Sequence, residues 1–248
     1  MNRPLDRLQV KFSQREGVPK RIFDISVALI SLVVLLPVLL VASVAIKLTS
    51  GGPIFYFQPR RGLHGRVFNI CKLRTLSRDR CDGPDCREIT AVEDNDGRVF
   101  GVGGFLRNRG LDEIPQLWNV LRGEMSIVGP RPHALAHEEL YLASIPGYHA
   151  RYAVKPGITG WAQVNGSRGT MHSLREVEQR LALDVEYIRR RSLLLDLLIV
   201  MRTLPLLAIS SGKRSAPWAP PVEHRHRPSR DVDRGVPQPA QAALRGTD

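Results

Sequence analysis

Asp112 and Glu113 are adjacent carboxylates, and the guanidinium groups of Arg107, Arg109, Arg122 and Arg131 crowd the same stretch of chain. Such a set can do phosphate chemistry. Two neighbouring carboxylates can share a hard cation such as Mg2+, which prefers oxygen ligands and keeps substrate phosphates in its shell. Arginines offset phosphate charge through paired hydrogen bonds. The pair also has a plain structural reading, because Asp and Glu at a helix N-terminus cap it and complement its dipole. The residues alone leave both readings open.

Other reactive spacings are weaker. His133 and His137 stand four apart with Glu138 behind them. In the zinc-protease order Glu follows the first His directly, and here Ala134 does, so two histidines on a surface helix is the better reading. Gly101-Val102-Gly103-Gly104 has Leu106 where a dinucleotide loop needs its third glycine. Neither G-x-x-x-x-G-K-S/T nor G-x-S-x-G occurs. Asp94-Asn95-Asp96 imitates the D-x-D that holds a metal in some nucleotide-sugar glycosyltransferases, but Gly97 follows at once and favours a solvated turn. Cys71, Cys81 and Cys86 are odd in number and lack C-x-x-C spacing, which supports neither a disulfide framework nor a zinc site. They read as reduced thiols on the cytoplasmic side.

These groups need elements to position them. Ile114, Leu117, Trp118 and Leu121 form one apolar stripe, which predicts a helix over 111–122. Asp112 would be its N-cap, Pro115 would sit in the first turn, and Gly123 would stop it. Upstream, residues 48–76 read as β-rich: a Ser50-Gly51-Gly52-Pro53 turn, then Ile54–Phe57, then Val67–Cys71 after Gly62 and Gly65. Residues 77–98 read as a polar surface loop. A second helix begins at the capping box Ser173–Glu176 and runs to about Arg191, with Leu174, Val177, Leu181, Val185 and Ile188 inward. Residues 192–209 are apolar but interrupted by Asp196, Arg202 and Pro205. An in-plane interfacial helix, charges toward water, is preferred there over a core helix.

The strongest element lies near the N-terminus. Ile25–Ile46 is 22 residues without a charge. As a helix it would be ~33 Å long, enough for a hydrocarbon core of ~30 Å. It exceeds the ~7–15 residues of a signal peptide's apolar region, and Lys47 follows it directly. A retained membrane segment is the better reading. Pro37 lies near its middle, and basic residues flank both ends: Lys20 and Arg21 before, Lys47, Arg60 and Arg61 after. A single span should carry positive charge on one side only. A helix that bends at Pro37 and returns fits, and so does an ordinary span with a mild kink.

The 36 Lys and Arg against 24 Asp and Glu give a net charge of +12, which points to an anionic partner. Aromatic residues are only 6% of the chain, which argues against base stacking and for no nucleic-acid partner. From Ser211 onward six Pro and seven Lys or Arg mark a disordered basic tail.

The motifs taken in order resemble a family. Lys20-Arg21-x-Phe23-Asp24, Gly52-Pro53-Ile54-Phe55, Gln58-x-Arg60-x-Gly62 and Lys72-Leu73-Arg74-Thr75-Leu76 come first. The blocks Leu111–Leu121 (LDEIPQLWNVL) and Gly123–Pro132 (GEMSIVGPRP) follow. Lys155–Gly166 (KPGITGWAQVNG), Asp184-x-x-Tyr187 and Ser192-x-x-x-Asp196 complete the set. Over roughly residues 18–205 the chain resembles the bacterial sugar transferases, the monotopic polyprenyl-phosphate phosphoglycosyl transferases. Leu36 precedes Pro37 where Ser is frequent, and Ser167-Arg168-Gly169 departs from the usual Gly-Arg.

The resemblance implies transfer of a sugar 1-phosphate from a UDP-sugar to a polyprenyl (undecaprenyl) phosphate, with release of UMP and initiation of an exopolysaccharide or other glycan. It implies Asp112 as the nucleophile that carries a phosphosugar, Glu113 as its partner, and Mg2+ at both. Lys72, Arg74, Arg107 and Arg131 are then expected to bind phosphate. The expected fold is α+β and helix-rich. A basic segment (1–21) leads into a re-entrant membrane helix-break-helix (22–47). A cytoplasmic catalytic domain (48–209) with a small sheet and interfacial amphipathic helices follows, then the tail (210–248). The expected site is the cytoplasmic face of the bacterial inner membrane, among its lipids; a homodimer is left open. Two rivals stand: a glycosyltransferase using Asp94 and Asp96 that releases UDP, and a membrane-tethered basic adaptor without turnover.

Overall fold

The computed structural model describes residues 17–77, 97, 99–169, 171 and 173–208. Residues 1–16, the stretch with Asp94, Asp96, Cys81 and Cys86, and the 210–248 tail lie outside the described residues.

Helix α1, Val18–Ser50, takes up the whole apolar segment and continues through Pro37 without interruption. The expected break is not an interruption of the helix. Proline removes one i→i−4 bond, but its φ is helical, and apolar neighbours on both sides favour the same conformation. Arg21 donates to the carbonyls of Val120 (2.6 Å) and Leu121 (2.7 Å), capping orphan acceptors at the end of a short helix. Asp24, fully buried, accepts from Ile127 N (3.0 Å), Ser126 Oγ (3.0 Å) and Lys20 Nζ (2.9 Å). At the other end, Ala42 and Ile46 pack with Leu73 and Leu106. Both ends of α1 therefore dock on one body, while Val33 and Val41 between them are 73% and 70% exposed.

Strands β1, Phe55–Arg61, and β2, Val67–Leu73, form an antiparallel hairpin with Arg61 opposite Val67. Helix α2, Gly101–Arg109, ends at Gly110, whose φ of 69° turns the chain into a 3-10 turn, Leu111–Glu113. Helix α3, Gln116–Arg122, then runs to Gly123. The single helix expected over 111–122 is thus split. Pro115 has no N–H to give Leu111, so the shorter bonds Glu113 N to Gly110 O and Ile114 N to Leu111 O replace the α ladder. Pro115 stands at the N-cap position of α3, and Asp112 caps nothing there. The offset also turns Trp118 outward, 55% exposed, while Ile114, Leu117 and Val120 are buried.

Strand β3, Ser126–Val128, pairs in parallel with β4, Gly157–Thr159. Gly129 and Gly157 pass so close that a Cβ on either would overlap the other strand's backbone. Between them lie α4, Leu135–Ser144, and a 3-10 segment, Tyr148–Ala153. Helix α5, Trp161–Val164, follows β4, and α6 spans Leu174–Arg190. Ser173 Oγ accepts from Glu176 N at 3.3 Å, the expected cap, and Val177, Leu181, Val185 and Ile188 are buried as expected.

Helix α7, Leu193–Ala208, buries Ile199 but leaves Leu194, Leu197, Met201 and Leu204 exposed. Its Asp196 does not face water. It accepts from Tyr187 Oη (2.8 Å) and pairs with Lys20 (2.9 Å), because a buried carboxylate needs a donor and a cation. Among the described residues the result is a helix-rich α+β fold with two small sheets.

Candidate active site

The turn Leu111–Glu113 sets both carboxylates against β2. What holds that turn in place is Asn119 of α3, whose side chain behaves like a piece of strand. Its Oδ1 accepts from Cys71 N (2.9 Å), and its Nδ2 donates to Asn69 O (2.8 Å) and Glu124 Oε2 (2.7 Å). This registers α3 on β2 and brings Lys72 to Glu113, Nζ to Oε1 at 2.9 Å. Arg131, beyond β3, grips the same carboxylate with both arms, 3.0 Å to Oε2 and 2.5 Å to Oε1. A bidentate guanidinium is the strongest donor pair a carboxylate finds.

The two carboxyls are pushed apart electrostatically. Burial opposes charge on Glu113, but Arg131 and Lys72 override it and hold the group well below its usual range. Asp112 is only 8% exposed. Burial, then the charge of Glu113, raises it to about 6, against the pull of Lys72, Arg107 and Arg131. One carboxylate is thus permanently ionised and neutralised, and the other titrates near neutral pH.

Glu113 lines a cleft of about 130 Å3 together with Lys72, Gln116, Arg131, His133 and Arg180, and with Arg60 beside them. Arg107 donates to Thr75 Oγ1 at 3.2 Å and its charge reaches Asp112. Of the four expected phosphate binders, Lys72, Arg107 and Arg131 therefore gather at the carboxylates. Arg74 does not. Its guanidinium, buried, is held by Pro53 O (2.7 Å), Ser50 Oγ (2.8 Å), Leu76 O (3.3 Å) and Gly51 O. It straps the end of α1 to the end of β2.

The histidines also fall differently from expectation. His133 lies before α4, and both it and His137 line the cleft. Arg60 and Arg180 were not singled out as binders from sequence. Arg60 sits inside the Gln58-x-Arg60-x-Gly62 motif. For Arg180 a signal existed: with Asp184 it continues the inward stripe of α6, and an arginine on a buried stripe needs a reason. Burial lowers both guanidiniums to about 10.

No group of three or more His, Cys, Asp or Glu side chains that could cage a metal occurs among the described residues. A divalent cation would have Asp112 and Glu113 as its protein ligands. Carboxylate oxygens suit Mg2+, which binds through one or two carboxylates and fills its shell with phosphate and water, but such a cation would share Glu113 with Lys72 and Arg131. It would favour ionised Asp112 against burial and the Glu113 charge.

Comparison with known proteins agrees with this chemistry. The family model "Bacterial sugar transferase" matches residues 15–210. A Caulobacter vibrioides protein named UDP-glucose:undecaprenyl-phosphate glucose-1-phosphate transferase is 50% identical over 204 residues, 82% of this chain and 73% of its own length. An Escherichia coli K12 protein of the same name is 46% identical over 185 residues, 75% of this chain but only 39% of its own length. An exopolysaccharide production protein of Rhizobium leguminosarum is 40% identical over 190 residues, 75% of this chain and 94% of its own length.

Proposed function

This chain belongs to the bacterial sugar transferase family, and we propose that it transfers glucose 1-phosphate from UDP-glucose to undecaprenyl phosphate, releasing UMP at the start of an exopolysaccharide. The observation that carries this reading is the split pair: a buried, titratable Asp112 beside a neutralised Glu113 that lines a cleft walled by cations. The relatives' names supply the sugar and the lipid carrier.

The reaction is two displacements at one phosphorus. An ionised Asp112 oxygen attacks the sugar-side phosphorus of UDP-glucose. The bond to the bridging oxygen breaks and UMP leaves. An oxygen of undecaprenyl phosphate then attacks the same phosphorus, the bond to Asp112 breaks, and the lipid diphosphate sugar is released. Both nucleophiles are anions, so neither step needs a base. The protein has to hold charge in place, which is the main task in phosphoryl transfer. Lys72 and Arg131 hold Glu113 and present their remaining N–H groups to phosphate. Arg107 lowers the charge density at Asp112. Mg2+ bound to Asp112 and Glu113 would neutralise diphosphate oxygens and the developing charge on the leaving group.

Membrane placement follows from α1. Its two ends, and Leu32, Leu35 and Leu39 between them, pack on one body, which supports a helix that meets the membrane with its exposed face from one side and does not span it. The exposed leucines of α7 then lie in the cytoplasmic interface of the inner membrane, where the carrier presents its phosphate. The test is purified protein in detergent or nanodiscs with UDP-glucose and undecaprenyl phosphate. UMP release dependent on both substrates, and stopped by a chelator, is expected. Release of UDP would indicate glycosyl transfer instead, and no nucleotide release with any UDP-sugar would contradict the reading.

A further inference from the structure

A second set of groups lines the cleft beyond the carboxylates, and its hydrogen-bond bookkeeping does not close. His133 Nδ1 lies 3.0 Å from Arg151 Nη1 and 2.5 Å from Tyr148 Oη. A guanidinium only donates, and the Arg151 contact is the shorter of the ring's two guanidinium contacts, which assigns Nδ1 as the unprotonated nitrogen. Tyr148 fits the same assignment: its oxygen accepts from Arg151 Nη1 at 2.8 Å, and its proton shares the single Nδ1 lone pair with Arg151. Arg151 is itself fixed, giving Nε to Asp184 at 2.8 Å and Nη2 to the Arg131 carbonyl at 2.5 Å. The chain Asp184–Arg151–Tyr148 thus locks one tautomer.

The proton of the neutral ring is therefore on Nε2. That nitrogen faces Arg180 Nη1 at 3.4 Å. In that tautomer two donors confront each other, and the contact is a hydrogen bond only in the other one. The rest of the Arg180 fork is occupied by Ser167 Oγ (3.1 Å), Ser167 O (2.7 Å) and Gly169 O (3.1 Å). Arg180 is 2% exposed. Nearby, Arg60 Nε and the Gln116 amide nitrogen, both on the cleft wall, are buried without a hydrogen-bond partner. Buried donors left unmet are costly. These two unmet donors, together with His133 Nε2 and Arg180 Nη1 in the assigned tautomer, suit one kind of ligand, an anion rich in acceptors.

We propose that His133 Nε2–H and Arg180 Nη1, backed by Arg60, form a binding subsite for the nucleotide-side phosphate of the donor, the phosphate that departs as UMP. His133 is a neutral, tautomer-fixed donor there and not a base. Burial, then Arg151, Arg180, Arg60 and Arg131, keep the ring from taking a second proton. Asp184, Arg151 and Tyr148 are positioning residues that act through His133. The inference rests on the proposed transfer only for the identity of the anion.

The test is 15N NMR of the histidine-labelled full chain, with His133 identified by its loss in His133→Gln. Inorganic pyrophosphate and UMP are the probes. The expected spectrum has Nε2 protonated and Nδ1 bare throughout pH 5.5–8, and each probe shifts Nε2. His133→Ala should weaken UMP binding and raise KM for UDP-glucose, each on the order of tenfold or more, with kcat changed less. His133→Gln, which returns an N–H near the same place, should recover most of that loss and keep the wild-type pH profile. A proton on Nδ1, a His133 titration between pH 6 and 8, or probe affinities unchanged in a folded His133→Ala would overturn the subsite. Wild-type protein that binds pyrophosphate through His133 but turns over no UDP-sugar would leave the subsite standing and remove the transfer reading instead.

Discussion

At the scale of residues, the decisive asymmetry is between Asp112 and Glu113. An unfolded Asp titrates near ~3.9, whereas Asp112 in the fold titrates at about 6. Below about pH 3 the group is protonated in both states and favours neither. As pH rises toward 6 the folded state is progressively penalised for ionising it, up to about 3 kcal/mol at and above pH 6. Asp112→Asn should therefore abolish turnover and yet raise Tm at pH 7.5 in the presence of chelator, with little change at pH 4. Thermal melts at the two pH values check this, and a lower Tm at pH 7.5 would contradict it. The same value predicts that kcat/KM falls about tenfold per unit below pH 6, read from a pH profile at saturating carrier. The carboxylate pair and three of its cations were legible in sequence because they lie in contiguous motifs. The inward stripe of α6 marks Arg180 and Asp184 as buried, but not the place of Arg180 in the cleft or the joining of Asp184 to Arg151 and Tyr148. Both follow only from the packing of α6 against the 3-10 segment, which no local pattern encodes.

At the scale of elements, α1 is fastened by polar groups at both ends. Lys20 bridges Asp24 and Asp196, joining α1, β3 and α7 in one buried set. Asp24→Ala leaves Ile127 N without its acceptor, while Lys20 keeps Asp196 and Ser126 Oγ keeps the Val128 carbonyl. It should destabilise by about 1–3 kcal/mol, seen as a lower yield of folded, extractable protein. Arg74→Ala should act likewise on stability, with KM for UDP-glucose unchanged in whatever protein folds, since the side chain is committed to Ser50, Gly51, Pro53 and Leu76. An increase in KM without loss of stability would return Arg74 to the phosphate binders. Helix α6 was readable to its cap because Ser173, Glu176 and the 3.6-residue stripe all agree. Helix α3 was misjudged because Pro115 breaks the ladder while the apolar spacing runs straight across it. Of the two α7 charges expected in water, Arg202 is exposed, whereas Asp196 is buried because it finds its partner, Lys20, 176 positions away in the chain.

At the scale of the whole molecule, apolar faces of α1 and α7 lie outside a polar, cation-walled cleft. That division suits an enzyme whose one substrate stays in the bilayer and whose other comes from water. Single-cysteine variants at Val18 and Leu48, the two ends of α1, should both react with an impermeant maleimide from the cytoplasmic side only. Labelling from opposite sides would require a span. The most direct measurement of the covalent route is capture of the protein with UDP-glucose carrying 32P in its sugar-side phosphate, in the absence of carrier lipid. The label should remain on wild-type protein, map by mass spectrometry to the peptide containing Asp112, and discharge on addition of undecaprenyl phosphate. Asp112→Asn should hold none. Normal turnover by Asp112→Asn, or label that never joins the protein during wild-type turnover, would contradict it.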